Sequence, residues 1–169
     1  IDAPARELVD RHPLELEFGF FPEHRAQARD HLLGLLLPFG IGVAAELEAG
    51  GRQVYVALDA SGEIVGTVSL VTAMPDNQPH RADVAKMMVH RRARGQGAAE
   101  ALLTRLEEDA WRMGKTTLVL DTVSGSTASR LYERLGWQRV GEIPAYALMP
   151  DGTPCATTVP PYLPAPGPL

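Results

Sequence analysis

The chain of 169 residues holds a single cysteine, Cys155, so it cannot close an internal disulfide. That fits a reducing compartment, and a cytoplasmic location is the expectation. Its five histidines, His12, His24, His31, His80 and His90, are scattered. None forms a metal-ligand spacing with cysteine, so no metal is expected. Positive charge is not in excess: 16 Lys and Arg stand against 21 Asp and Glu, a formal net charge of −5. That argues against nucleic acid or an anionic membrane as the main partner. No apolar run is long enough to cross a bilayer, which takes roughly 20 residues. The most apolar stretch, Leu32 to Val43 (LLGLLLPFGIGV), is shorter and is interrupted by Pro38. It lies too far in, and lacks the flanks, for a signal peptide. It reads as buried core or a partner surface. No internal repeat is present. The chain opens on Ile1 rather than Met, and the expectation is that the natural start lies upstream.

What is present is a set of changing periods, in a chain long enough for one domain with a core. Residues 1–17 are charged and aperiodic. Residues 22–37 and 43–49 read as helices, the second stopped by Gly50-Gly51. Gln53 to Leu58 and Ile64 to Met74 read as two strands of a hairpin turned at Asp59 to Gly62. Asp83 to Val89 (DVAKMMV) reads as a third strand, with Asp83, Ala85, Met87 and Val89 on one face. A helix is expected from Ala98 to Met113. Ala99, Leu102, Leu103, Leu106, Ala110 and Met113 form its apolar stripe, and Glu100, Arg105, Glu107, Glu108 and Arg112 its wet face. Gly114 ends it. Thr116 to Asp121 (TTLVLD) is nearly all apolar, as in a strand covered on both faces. Strand, helix and strand at this spacing predict a right-handed crossover joining a parallel pair. A short helix is expected over Ser126 to Leu135, capped by Gly136. Trp137 to Val140, Ala145 to Leu148 and Ala156 to Val159 read as closing strands. Pro160-Pro161 would block a regular central ladder there. An edge position, an unstructured end or pairing in a dimer stay open.

The junction His90 to Leu103 (HRRARGQGAAEALL) stands out in an acidic chain. A strand, a glycine-containing turn and a helix start form a phosphate cradle. Glycine lets the backbone approach, and the first helical N–H groups have no internal partner. Arg91, Arg92 and Arg94 add charge beside it. The plainer alternative is a solvated loop. The loop is not G-x-x-x-x-G-K-[ST], so a nucleoside triphosphate site is unsupported. Nor is it G-x-G-x-x-G, which disfavours a dinucleotide fold.

Arg94-Gly-Gln-Gly-Ala-Ala99 does match R/Q-x-x-G-x-G/A, with Arg94, Gly97 and Ala99 at the defined places. Ala128 to Trp137 (ASRLYERLGW) follows A-x-x-L-Y-x-x-x-G-F. On these two segments the chain resembles the GCN5-related N-acetyltransferases. Within that family, the stretch from Arg81 to Gly152 is similar to the tabtoxin-resistance branch.

The resemblance implies a single α/β (α+β) domain over residues 1–169. Its sheet would be mixed and mostly antiparallel, with a central parallel pair and flanking helices. Residues 18–51 would shape the acceptor site, 52–89 supply strands, and 90–121 form the acetyl-CoA-binding core. Residues 122–150 would carry the catalytic tyrosine helix and closing strands, and 151–169 a proline-rich tail. Acetyl-CoA would be the co-substrate, held by Met87, Met88, Val89, Arg94, Gly95, Gln96, Gly97, Ala98, Ala99, Glu100, Ser126 and Tyr132. Gly125 stands where the family carries Asn seven residues before the tyrosine, and Ser124 or Ser126 is the candidate replacement.

Asp83 or Asp121 would take the proton of an ammonium acceptor, directly or through water. Tyr132 would protonate the departing thiolate. Its ordinary pKa of about 10 keeps it protonated at neutral pH. The acceptor implied is a small amine, an amino-acid-like metabolite or an amino antibiotic or toxin, and the protein a monomer or homodimer. Two rivals stand beside this: a peptide or protein N-acetyltransferase, and an acyl-CoA sensor without turnover. Plainer roles stay open for single residues. Asp83 could be a surface aspartate, Asp121 a turn cap, Tyr132 and the two methionines core, and His90 merely exposed.

Overall fold

The structure is a computed structural model that describes residues 46–47, 49–159 and 162–164. The expected helix over 22–37 lies outside the described residues. Of the stretch 43–49, Glu46 and Leu47 are helical. The predicted stop follows: the N–H groups of Gly50 and Gly51 return to Leu47 O (3.1 Å) and Glu46 O (2.9 Å). Gly50 takes φ +74°, a left-handed conformation that glycine adopts without strain. The chain divides into two compact units, residues 1–73 with 86–106, and residues 74–85 with 107–169.

In the first unit, strand β1 (Arg52–Leu58) runs antiparallel to β2 (Ile64–Val71), with Arg52 opposite Val71. Asp59 closes their turn, its Oδ1 accepting the N–H groups of Ser61 and Glu63 at 3.0 Å each. β2 ends three residues earlier than expected. The N–H groups of Thr72 and Ala73 both turn to Gly51 O (2.9 and 3.2 Å). Next in hydrogen-bonding order comes β3 (Arg81–Val89), whose last four residues belong to this unit.

Strict alternation fails in β3. Ala82 and Val84 are buried, so a period of two would bury Lys86. Instead Lys86 takes φ +56° and turns outward, and Met87, Met88 and Val89 follow as three half-buried residues in a row.

Helix α1 (Ala98–Arg112) follows, its Leu102, Leu103 and Leu106 fully buried. Each such side chain contributes about 1.5–3 kcal/mol. A Cβ on Gly66 would stand 3.0 Å from Leu102 Cδ1 and 3.4 Å from Ala57 Cβ. The bare glycine therefore sets how closely this helix approaches β2.

In the second unit, the first part of β3 pairs in parallel with β4 (Thr117–Val119), Arg81 to Asp83 facing Thr117 to Val119. β8 (Tyr162–Pro164) closes the far side of β4, antiparallel, at the edge. A second sheet has the order β5-β7-β6: Thr122–Val123, Pro154–Val159 and Gly141–Leu148. Helix α2 (Thr127–Arg134) follows β5. The class is α+β: a mixed sheet, mostly antiparallel, with one parallel pair.

Several boundaries differ from expectation, each for a local reason. The strand expected over Thr116 to Asp121 is shorter, Thr117–Val119, because the chain leaves that sheet at Leu120. The chain serves one sheet through β4 and the other through β5, with buried Leu120 and exposed Asp121 between. Trp137 to Val140 is not a strand. The Trp137 N–H returns to Tyr132 O (3.0 Å) and closes the end of α2, burying the indole. Met113 leaves the helical stripe: α1 ends at Arg112, Gly114 turns the chain at φ +76°, and Met113 is 41% exposed. Glu107, expected on the wet face, is half-buried and accepts a hydrogen bond from Trp137. The tail changes ladders across Pro160-Pro161, from β7 ending at Val159 to edge strand β8 starting at Tyr162.

Candidate functional site

The predicted cradle lies wholly in the first unit. The His90 N–H bonds Val65 O (2.8 Å) and ends β3. A 3-10 turn over Arg91–Ala93 follows, with the Arg92 N–H donated to His90 Nδ1 at 3.3 Å. Ala93 is buried and anchors the turn; Arg94 is extended. Gly95 and Gly97 then take φ +74° and +84°. A side chain there would cost about 1–2 kcal/mol per position. Ala98 is buried and pins the helix start. The first helical bond runs from the Ala101 N–H to Gly97 O, 3.0 Å. The donors ahead of it belong to the set that a helix start leaves without internal partners. Ala99 is half-buried and Glu100 exposed.

The three arginines are not equivalent. Arg92 is paired with Asp59, Nη2 to Oδ2 at 2.7 Å, which offsets part of its charge and ties the loop to the β1–β2 turn. Gln96 Nε2 donates to Arg92 O (2.7 Å) and braces the same turn. Arg94 folds back, its Nε donating to Val89 O at 3.1 Å. Arg91 is exposed. Asp59 is a component that sequence reasoning missed. An aspartate in a hairpin turn is ordinary, and only the fold reveals that it faces Arg92.

The predicted acid-base residues lie wholly in the second unit. Asp83 ends the paired part of β3, opposite Val119. Its Oδ2 accepts from Arg81 Nη2 (3.1 Å), and its buried Oδ1 has no protein partner. Burial raises its pKa, the Arg81 guanidinium lowers it, and the Asp121 charge raises it further; the net direction is upward. Asp121 itself is exposed, just after Leu120. Tyr132, on α2, is 5% exposed. Burial, with the Asp121 charge, pushes its phenol up to about 12. Asp121 thus acts on both other groups, and the fold brings the three into one electrostatic neighbourhood.

Ser126 is engaged otherwise. It is the N-cap of α2, its Oγ accepting the Ser129 N–H at 3.1 Å. Ser124 Oγ shares a hydrogen bond with Thr158 Oγ1, 3.0 Å. Gly125 takes φ +70° between them. The two candidate replacements for the missing asparagine therefore both have structural partners.

Residues 14–137 match the acetyltransferase (GNAT) family. The chain belongs to that family. GNAT enzymes use acetyl-CoA and an acceptor. Among curated proteins, this GNAT chain is 36% identical over 99 residues to an N-acetylaspartate synthetase of Danio rerio, covering 58% of this chain and 34% of that one. It spans only about a third of that relative's length. Among solved structures it is similar to a GCN5-related N-acetyltransferase from Kribbella flavida, 26% identical with a TM-score of 0.60 and 68% of each chain covered. It also shares the fold of yncA from Salmonella typhimurium, solved with its cofactor acetyl-CoA. There the identity is 24%, the TM-score 0.64, and coverage 82% of this chain and 74% of that one. Among the described residues, no helix is long and apolar enough to cross a membrane, and no cluster of His, Cys, Asp and Glu could hold a metal.

Proposed function

We propose that the protein is an acetyl-CoA-dependent N-acetyltransferase acting on a small, amino-acid-like amine. The loop from Gly95 to Glu100 carries this reading. Two left-handed glycines and a helix start present backbone donors, with exposed Arg91 beside them. That donor set fits a pyrophosphate. Met87 to Val89 would supply backbone groups to the rest of the cofactor, including a donor for the developing oxyanion. When bound, acetyl-CoA supplies the activated acyl group as a thioester.

The protein's own residues then manage protons. Asp83 and Asp121 are the acceptors for the ammonium proton, directly or through water. Burial raises the Asp83 carboxyl above the ordinary aspartate value, which makes it a readier proton acceptor than an unperturbed aspartate. Tyr132 keeps its proton well beyond neutral pH, because burial and the Asp121 charge both oppose the phenolate. It is therefore a ready donor to the departing sulfur. An amino acid as acceptor is supported by the N-acetylaspartate synthetase relative. Action on an amino toxin, as in the tabtoxin-resistance branch, rests on the resemblance over Arg81 to Gly152.

The test is release of free CoA from acetyl-CoA with a panel of amino acids and amino antibiotics, beside thermal unfolding with and without acetyl-CoA. Stabilisation together with amine-dependent CoA release is expected. Stabilisation without release for any amine would make the protein a sensor. No stabilisation of folded protein would remove the cradle.

A further inference from the structure

We infer that Glu107 is a positioning residue for Tyr132, acting through the Trp137 ring. The inference rests on the reading of Tyr132 as proton donor. Trp137 is 3% exposed and held at two ends. Its backbone N–H donates to Tyr132 O at 3.0 Å, and its indole Nε1–H donates to Glu107 Oε1 at 3.1 Å. Between these ties its ring lies against the phenol, centroids 5.8 Å apart at 56°. The indole is a rigid plate, so fixing its N–H direction fixes the face it turns toward Tyr132. α2 has only eight residues and offers the ring little support of its own.

Glu107 is costly where it stands. It lies one turn from fully buried Leu103 and next to fully buried Leu106, at the border of the apolar stripe. A leucine there would bury without a charge, but it would leave the indole N–H unpaired. Direction is what the carboxyl supplies. Burial pushes its pKa up to about 7, and in either protonation state it keeps an oxygen that accepts the indole proton. A glutamine would keep that oxygen as well, at the same reach.

The test compares Glu107→Gln, Glu107→Leu and Trp137→Phe, each in the native chain and in Tyr132→Phe. Glu107→Gln should keep native turnover. Glu107→Leu and Trp137→Phe should lower kcat about tenfold, the scale of a misplaced catalytic group, with KM for acetyl-CoA unchanged. In the Tyr132→Phe background, Glu107→Leu should cost nothing more, because its effect passes through the phenol. An equal loss in both backgrounds, a change in KM alone, or no loss in the native chain would each overturn the inference.

If Tyr132→Phe itself kept full turnover, the donor reading would fail. NMR would still decide the positioning. The Trp137 indole proton should exchange slowly in the native chain and in Glu107→Gln, and fast in Glu107→Leu, with Tyr132 ring resonances displaced. Unmoved Tyr132 resonances would sink it without reference to turnover.

Discussion

Between Val89 and Glu100 the proposed cofactor cradle is built mainly from backbone, whereas the proposed acid-base group around Tyr132 is built from side chains. The cradle is open. Its working parts are N–H groups aimed by two left-handed glycines, and its fixing bonds, Asp59 to Arg92 and Arg94 to Val89 O, are made at the surface. The acid-base group is dry at its tyrosine end and open at Asp121. Tyr132 and Trp137 are nearly dry, and burial is the largest cause of the shifts at Asp83, Glu107 and Tyr132. The contrast teaches where each region is vulnerable. Backbone conformation should govern cofactor affinity, and side-chain protonation should govern turnover.

The largest effect that would sharpen this contrast belongs to Tyr132→Phe. Removing only the hydroxyl leaves the ring packing on Trp137 intact. Turnover should fall about a hundredfold, the low end for losing an acid-base group. Acetyl-CoA affinity, measured by calorimetry, should stay put. A variant that lost affinity and kept kcat would reverse the two regions' roles.

Next in size is Gly97→Val. At φ +84° a β-branched side chain meets strain of about 1–2 kcal/mol. Relieving it turns the donors away. The dissociation constant for acetyl-CoA should rise about tenfold if that strain is taken from binding. At saturating cofactor, kcat should be close to native. A drop in saturated kcat would mean that the cradle also aligns the reacting atoms.

The difference in construction also explains what the sequence disclosed. Glycine takes the left-handed conformations at 95 and 97 without strain, so this part of the loop's geometry is visible in the residue types. The helix after it was equally legible, because α1 obeys one period from Ala98 to Ala110. Asp83, Asp121 and Tyr132 are candidates through the family pattern, but what Asp121 does to the other two depends on contacts remote in sequence. Glu107 was misread for the same reason. Its spacing put it near the edge of the helical stripe, and charge alone suggested water. The partner that meets it there, the Trp137 indole N–H, lies thirty residues later in the chain. The early end of β4 was hidden because the apolar run continues through Leu120 after the chain has left the first sheet.

Glu107 offers a smaller test, and its sign can be worked out. Folded, its pKa is about 7; its ordinary value is 4.5. Between those values the folded state holds a proton that the unfolded state has released. Stability should therefore fall as pH rises from about 4.5 through 7. The loss should be on the order of 1–2 kcal/mol, since part of the group still meets water and is screened. Urea unfolding across this range would show it, and Glu107→Gln should flatten the slope. An unchanged slope in Glu107→Gln would place the buried proton elsewhere.

The smallest effect, and the one that probes the open region most directly, belongs to Asp59→Asn. Arg92 would lose its ion pair, while the amide oxygen could still hold the turn through Ser61 and Glu63. Two consequences oppose each other. The loop loses a tether, which weakens a preformed cradle. The freed guanidinium adds charge beside it, which favours a phosphate. Both act at the surface and are screened, so affinity for acetyl-CoA should change at most a few-fold at physiological salt. The direction is the informative part. Weaker binding at low salt would show that Asp59 serves to fix the loop. Tighter binding at low salt, fading as salt is added, would show that Arg92 is a phosphate ligand held in reserve. The cradle would then depend on charge as well as on its backbone.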